Sequence, residues 1–169
     1  MSNKHYYLVA SLPFLSVGEP AISAEEFLEE CGKWLSEDEL RVLKAASMEA
    51  PGEGAACGEA LGEWKRFDDR LRKDLAGRRR RRKEGKEHES SASEEVKRVF
   101  EGGTPLEKEK ILAQARMDFI ESMTGKYFFD LNWLVLYYLK VQIMERLSVF
   151  DKDKGEERFY KLCEVTDEQ

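Results

Sequence analysis

Four times the chain sets a Ser or Thr three residues ahead of a Glu: Ser23 with Glu26, Ser36 with Glu39, Ser91 with Glu94 and Thr104 with Glu107. In that arrangement the hydroxyl accepts a hydrogen bond from the third helical amide, and the carboxylate accepts one from the cap's own amide. Each pair is therefore a helix start, and a chain opened four times this way is difficult to build as a sheet. Pro105 adds to the last start, because it occupies the first helical position, where a missing N–H costs nothing. The Ser91 start lies in a polar stretch and has no large apolar residue behind it until Val96. With only 12 Gly and 4 Pro, the chain also lacks the turns of a many-stranded β protein. These features predict an all-α fold.

The apolar spacing fills in the elements. From Ser23, the residues Phe27, Leu28, Cys31, Trp34 and Leu35 form one helical face, and a short helix from Glu37 carries Leu40, Leu43 and Ala46. Residues 49–58 form a small-residue loop. A long helix over about 58–77 presents Leu61, Trp64, Phe67 or Asp68, Leu71 and Leu75 inward, with Lys65, Arg66, Asp69, Arg70 and Lys73 outward. Pro105 to Thr124 is amphipathic and ends at Gly125 in the C-cap manner. From Asp130 to about Phe150, apolar residues surround the first half of the helix, which marks it as the central helix covered by the others. A last helix from Asp153 to about Val165 carries Phe159, Tyr160, Leu162 and Cys163. The apolar run Tyr6–Ala10 fits a buried strand or one helical turn; no second convincing strand exists to pair with it, so helix or extended coil is expected.

Charge is the second organiser. Charged residues make up 37% of the chain, yet 3 Trp, 6 Tyr and 9 Phe exclude disorder along its whole length. Residues 1–77 carry 9 basic and 15 acidic side chains, 78–88 carry 7 and 2, and 89–169 carry 12 and 17. The division suggests an N-terminal helical lobe (1–77), a basic and polar segment (78–93) and a C-terminal helical lobe (94–169). The middle segment either continues the preceding helix as a charged rod or forms a linker with helical ends; the linker is the expectation. Its run Arg78, Arg79, Arg80, Arg81, Arg82 and Lys83 is the one sharp electrostatic feature and the expected partner-binding site. Six adjacent cations suit phosphates or an acidic protein. A helix C-terminus also favours positive charge through its dipole. No aromatic lies within the run to stack on bases, which disfavours nucleic acid.

A search for chemistry returns little. His5 and His88 have no partner at metal-ligand spacing, and no Ser or Cys stands in a nucleophile motif. Gly52, Gly54 and Gly58 lack the strand before and the helix after that a dinucleotide fingerprint requires. Asp151-Lys-Asp153-Lys-Gly155 resembles the start of a calcium loop, but the glycine is one position early and Leu162 stands where the bidentate Glu belongs; a helix junction capped by Asp153 is expected instead. No catalytic group, cofactor, metal or small-molecule substrate is expected. Cys31, Cys57 and Cys163 are odd in number and far apart, which suits a reducing cytosol. The run Leu131–Leu139 is about half of a membrane span.

Taken in order, Tyr6-Tyr-Leu-Val-Ala-Ser-Leu-Pro13, Trp64-Lys-Arg-Phe67 with Leu71-Arg, Pro105-Leu-Glu107, Phe129-Asp-Leu-Asn-Trp133, Tyr138 to Arg146 and Gly155-Glu-Glu-Arg-Phe159 resemble a bacterial family of uncharacterised proteins encoded among the subunits of V-type (archaeal-like) ATPases. The resemblance runs nearly end to end and is thinnest over the basic segment. It implies a non-catalytic accessory or central-stalk subunit, in the neighbourhood of the helical C (or d) subunit that joins the stalk to the membrane ring. Its partners would be other subunits of that complex. Such a protein would be cytoplasmic and peripheral to the inner membrane, reaching it only through them. The alternative is a cytosolic helical adaptor that binds nucleic acid or an acidic protein through Arg78–Lys83.

Overall fold

Three of the four Ser/Thr-x-x-Glu boxes close in the computed structural model, which describes residues 5–15, 22–48, 58–85, 93–150 and 152–164. Ser23, Ser36 and Thr104 accept from the amides of Glu26, Glu39 and Glu107, whose carboxylates accept from the caps' own amides. The Gly103 amide also donates to Glu107, at 3.0 Å. Ser91 lies outside the described residues; the helix there begins at Glu94 behind Ser93, which makes no side-chain capping bond.

Among the described residues the helices are α1 (Tyr6–Ser11), α2 (Ala24–Gly32), α3 (Glu37–Lys44), α4 (Glu59–Lys83), α5 (Glu94–Glu101), α6 (Pro105–Thr124), α7 (Leu131–Ser148) and α8 (Lys152–Glu164). The all-α expectation holds, and the ambiguous N-terminal run is a helix. Helix α7 is central, as its apolar circumference requires. Leu134 through Leu139, Val141, Ile143 and Met144 are all buried, and α2, α3, α4 and α6 pack on it. Phe27 of α2 stacks on Tyr137 and Tyr138, with ring centroids 5.2 and 5.4 Å apart. Each large side chain so covered contributes about 1.5–3 kcal/mol. A smaller cluster joins Leu71 and Leu75 of α4, Val96 and Val99 of α5, and Leu112 of α6, with Phe67 packed against both clusters.

The core does not divide where the charge does. Phe27, Cys31, Leu43, Leu61 and Trp64 from one side of the basic run share a single cluster with Met117, Ile120, Leu134 and Ile143 from the other. Charge marks what faces water, and outward-facing charge is compatible with any arrangement of the apolar faces beneath it. The basic run itself is an exposed helix end, as the charged-rod alternative has it, and residues 86–92 of the expected linker lie outside the described residues. Helix α4 passes through Gly77 and continues to Lys83, because arginine and lysine are good helix formers and one exposed glycine costs only about 1 kcal/mol. The helix ends at Lys83 with Glu84 as its C-cap, and Gly85 follows with a φ of 72°, open to glycine at no steric cost. Helix α8 starts at Lys152, so Asp153 lies within it and does not precede it. The glycine cluster 52–54, Cys57 and His88 lie outside the described residues.

Candidate protein-binding surfaces

The predicted site, Arg78–Lys83, is a rigid helix end whose members have different surroundings. Arg78 lies over the Phe100 ring of α5, 5.6 Å from its centroid, and is half-buried. Arg81 is half-buried as well, and its Nε has no acceptor among the described residues. Arg79, Arg80, Arg82 and Lys83 are exposed. The helix therefore brings the six cations together on the last turns of α4 but does not aim them at a single point.

A second surface lies where α1 meets the turn before α7. Helix α1 has six residues and can bury one side only. Leu8 is 1% exposed, while Tyr6 and Tyr7 remain 54% and 81% exposed. Tyr7 stacks on Trp34, just past α2, at 6.4 Å, and Tyr6 leans on Phe129 at 4.9 Å. Trp34, Phe128 and Phe129 are themselves exposed. Phe129 has φ of 58°, a left-handed conformation that costs a side-chain-bearing residue about 1–3 kcal/mol. Its carbonyl accepts the His5 amide at 2.6 Å, which ties α1 to this turn. Two exposed aromatic pairs thus flank α1, Tyr6 with Phe129 and Tyr7 with Trp34, with exposed Phe128 next to Phe129 in the strained turn.

This surface borders an acidic cleft. Glu26, Glu29, Glu30 and Lys33 of the α2 region, together with Ser11 and Pro13, line an open space of about 600 Å³. Glu30 belongs to both surfaces: its carboxylate accepts from Lys33 Nζ at 2.5 Å and from the Trp34 indole Nε1 at 3.4 Å. Those two bonds, that from Lys33 first, hold the Glu30 carboxyl below its usual range, and Glu30 in turn raises the Lys33 ammonium. The arrangement is an aromatic platform with negative charge along one edge. Aromatic residues are enriched in the surfaces by which proteins contact one another, which makes this a candidate surface.

The sequence pointed to the basic run and not to this second candidate surface. The available signal was two adjacent aromatic pairs, Tyr6-Tyr7 and Phe128-Phe129, in segments too short to bury both members. Among the described residues, no group of three His, Cys, Asp or Glu side chains could hold a metal ion, and no helix is long and apolar enough to cross a membrane.

The model of one protein family, described as a protein of unknown function (DUF2764), matches residues 61–168. That span runs from the first turn of α4 past the end of α8. No curated protein and no solved structure matches the chain.

Proposed function

The chain belongs to the DUF2764 family of proteins of unknown function, and we propose that it is a non-catalytic, protein-binding subunit of a V-type ATPase. It serves as an accessory or central-stalk component in assembly or rotor coupling. The observation that carries the reading is the exposed platform of Tyr6, Tyr7, Trp34, Phe128 and Phe129. Tyrosine and tryptophan held on a rigid scaffold are the residues that most often dominate protein–protein affinity. The motif order that resembles proteins encoded with V-type ATPase subunits supplies the identity of the complex. The partner carries lysine or arginine beside its apolar contacts, since Glu30 accepts from the Trp34 indole and lines, with Glu26 and Glu29, the neighbouring cleft. The protein works in the cytoplasm, peripheral to the inner membrane, and reaches that membrane only through its partners.

Tagged protein expressed in its native host should co-purify with V-type ATPase subunits from detergent-solubilised membranes. Recovery of nucleic acid or ribosomal material alone, released by moderate salt, would overturn the reading. That outcome would favour an adaptor acting through Arg78–Lys83, to which the exposure of Arg79, Arg80 and Lys83 lends its own support.

A further inference from the structure

Away from the aromatic platform, where α4, α6 and α7 meet behind α3, an open cleft of about 300 Å³ is lined by Met48, Arg72, Glu109, Leu112, Arg116 and Arg146. Each guanidinium is held from behind by its Nε. Arg72 donates to Asp68 Oδ2 at 2.6 Å, Arg116 to Asp68 Oδ1 at 2.9 Å, and Arg146 to Glu109 Oε1 at 2.7 Å. One Nη of Arg72 also donates to the Met48 carbonyl, at 3.0 Å. The Nη groups of Arg116 and Arg146 have no acceptor among the described residues. Arg116 is only 8% exposed, and since none of its nitrogens is buried without a partner, the Nη groups that make no bond open onto the cleft.

The charges are unbalanced in the same sense. Three cations face two carboxylates, Asp68 and Glu109, so one positive charge is in excess. Planar guanidinium forks fixed from behind, with outer N–H groups left over once one Nη of Arg72 is spent on Met48, suit an oxyanion. Three forks from three helices match a tetrahedral group with several peripheral oxygens better than a flat carboxylate, which one fork satisfies. A larger groove of about 700 Å³ shares Met48 and Arg146 with the cleft and runs past Gln142 and Glu145, whose Oε1 accepts the Ala24 amide at 2.7 Å, to Val149 and Phe150. It offers room, and an apolar end, for whatever carries the anion.

We infer that this cleft binds the phosphate group of a small soluble phosphomonoester, with the phosphate on Arg72, Arg116 and Arg146 and the organic body along the groove toward Phe150. The site is independent of the platform and of the partner proposed for it.

Phenyl phosphate is a suitable probe, titrated into the whole protein by calorimetry in chloride buffers of matched ionic strength. Saturable binding is expected at millimolar concentrations or below, with inorganic phosphate displacing the probe and benzoate of the same body failing to match it. Arg146→Gln and Arg72→Gln, both at half-exposed positions and checked for unchanged helicity, should each weaken binding about tenfold or more, the loss of one charge-assisted contact. Arg79→Gln combined with Arg80→Gln should leave it unchanged. No saturation, equal binding of benzoate, or loss through Arg79 and Arg80 with retention in R146Q and R72Q would each overturn the assignment.

Discussion

Asp68 is the residue whose removal the packing makes most costly. Its carboxylate is 11% exposed and accepts from two arginines, the 10%-exposed Arg116 and the half-exposed Arg72. Asp68→Asn keeps the volume and removes the charge, stranding one buried guanidinium and one that can turn to water. Breaking a buried ion pair from one side costs about 3–5 kcal/mol; because the cleft at Arg116 is open, the lower end applies, about 3 kcal/mol. For a chain of this size each kcal/mol lowers the melting temperature by about 2–4 °C, so a fall of about 6–12 °C follows. The opposite truncation should be milder. Arg116→Met leaves Asp68 bonded to Arg72 and replaces a buried charge with an apolar chain beside Leu112, at a cost of about 1 kcal/mol. Urea unfolding followed by circular dichroism, with thermal melts alongside, measures both. The reasoning is refuted if Asp68→Asn stays within 1 kcal/mol of the parent protein, or if Arg116→Met is the more damaging of the two.

Other consequences can be checked as simply. Arg78→Gln should lower stability by up to about 1 kcal/mol through loss of its contact with Phe100, whereas Arg79→Gln with Arg80→Gln should stay within about 0.5 kcal/mol; melts of the two variants decide it. At Glu39, burial pushes the carboxyl up, but the Ser36 amide and hydroxyl together with His5 pull it further, leaving it below its ordinary 4.5. Its stabilisation is thus complete above that value and lost as pH falls through the lower folded-state value. Urea midpoints taken from neutral pH to below 4.5 should fall with acid, and Glu39→Gln should flatten the fall. Burial, and secondarily Glu30, push the Cys31 thiol up to about 12, while Cys163 is exposed. A thiol reagent followed by peptide mass analysis should modify Cys163 in the native protein and Cys31 only on unfolding; equal rates would contradict the burial.

Local chemistry was legible in the sequence wherever it was self-contained. The Ser23, Ser36 and Thr104 boxes are bonds between residues three apart, and they start helices whatever surrounds them. The unbroken apolar circumference at Leu134–Leu139 marked the central helix for the same reason. What depended on distant partners was hidden. Spacing left Phe67 and Asp68 as rivals for one inward position, and both are used: Phe67 stacks on Phe119 with ring centroids 4.0 Å apart, and Asp68 is neutralised by Arg116, 48 positions away. No local pattern announces that pair. The basic run was grouped with the polar residues that follow it, although Arg78–Lys83 alone are strong helix formers and Leu71 and Leu75 already anchor their helix against α5 and α6. The aromatic platform was hidden because Tyr6, Tyr7, Phe128 and Phe129 read as core by composition, and only the brevity of α1 and the left-handed turn at Phe129 leave them outside.

The exposed aromatic residues around α1 are the proposed surface by which other proteins hold this one. Tyr7→Ala combined with Trp34→Ala removes two exposed rings that stack on each other, and should leave folding nearly unchanged, within about 0.5 kcal/mol per site. Capture from detergent-solubilised membranes of the native host, with subunits quantified by mass spectrometry, compares this variant with the parent and with Arg79→Gln/Arg80→Gln. V-type ATPase subunits are expected with the parent and with the basic-run variant, and are lost with the aromatic variant. Retention by the aromatic variant and loss by the basic-run variant would contradict that assignment.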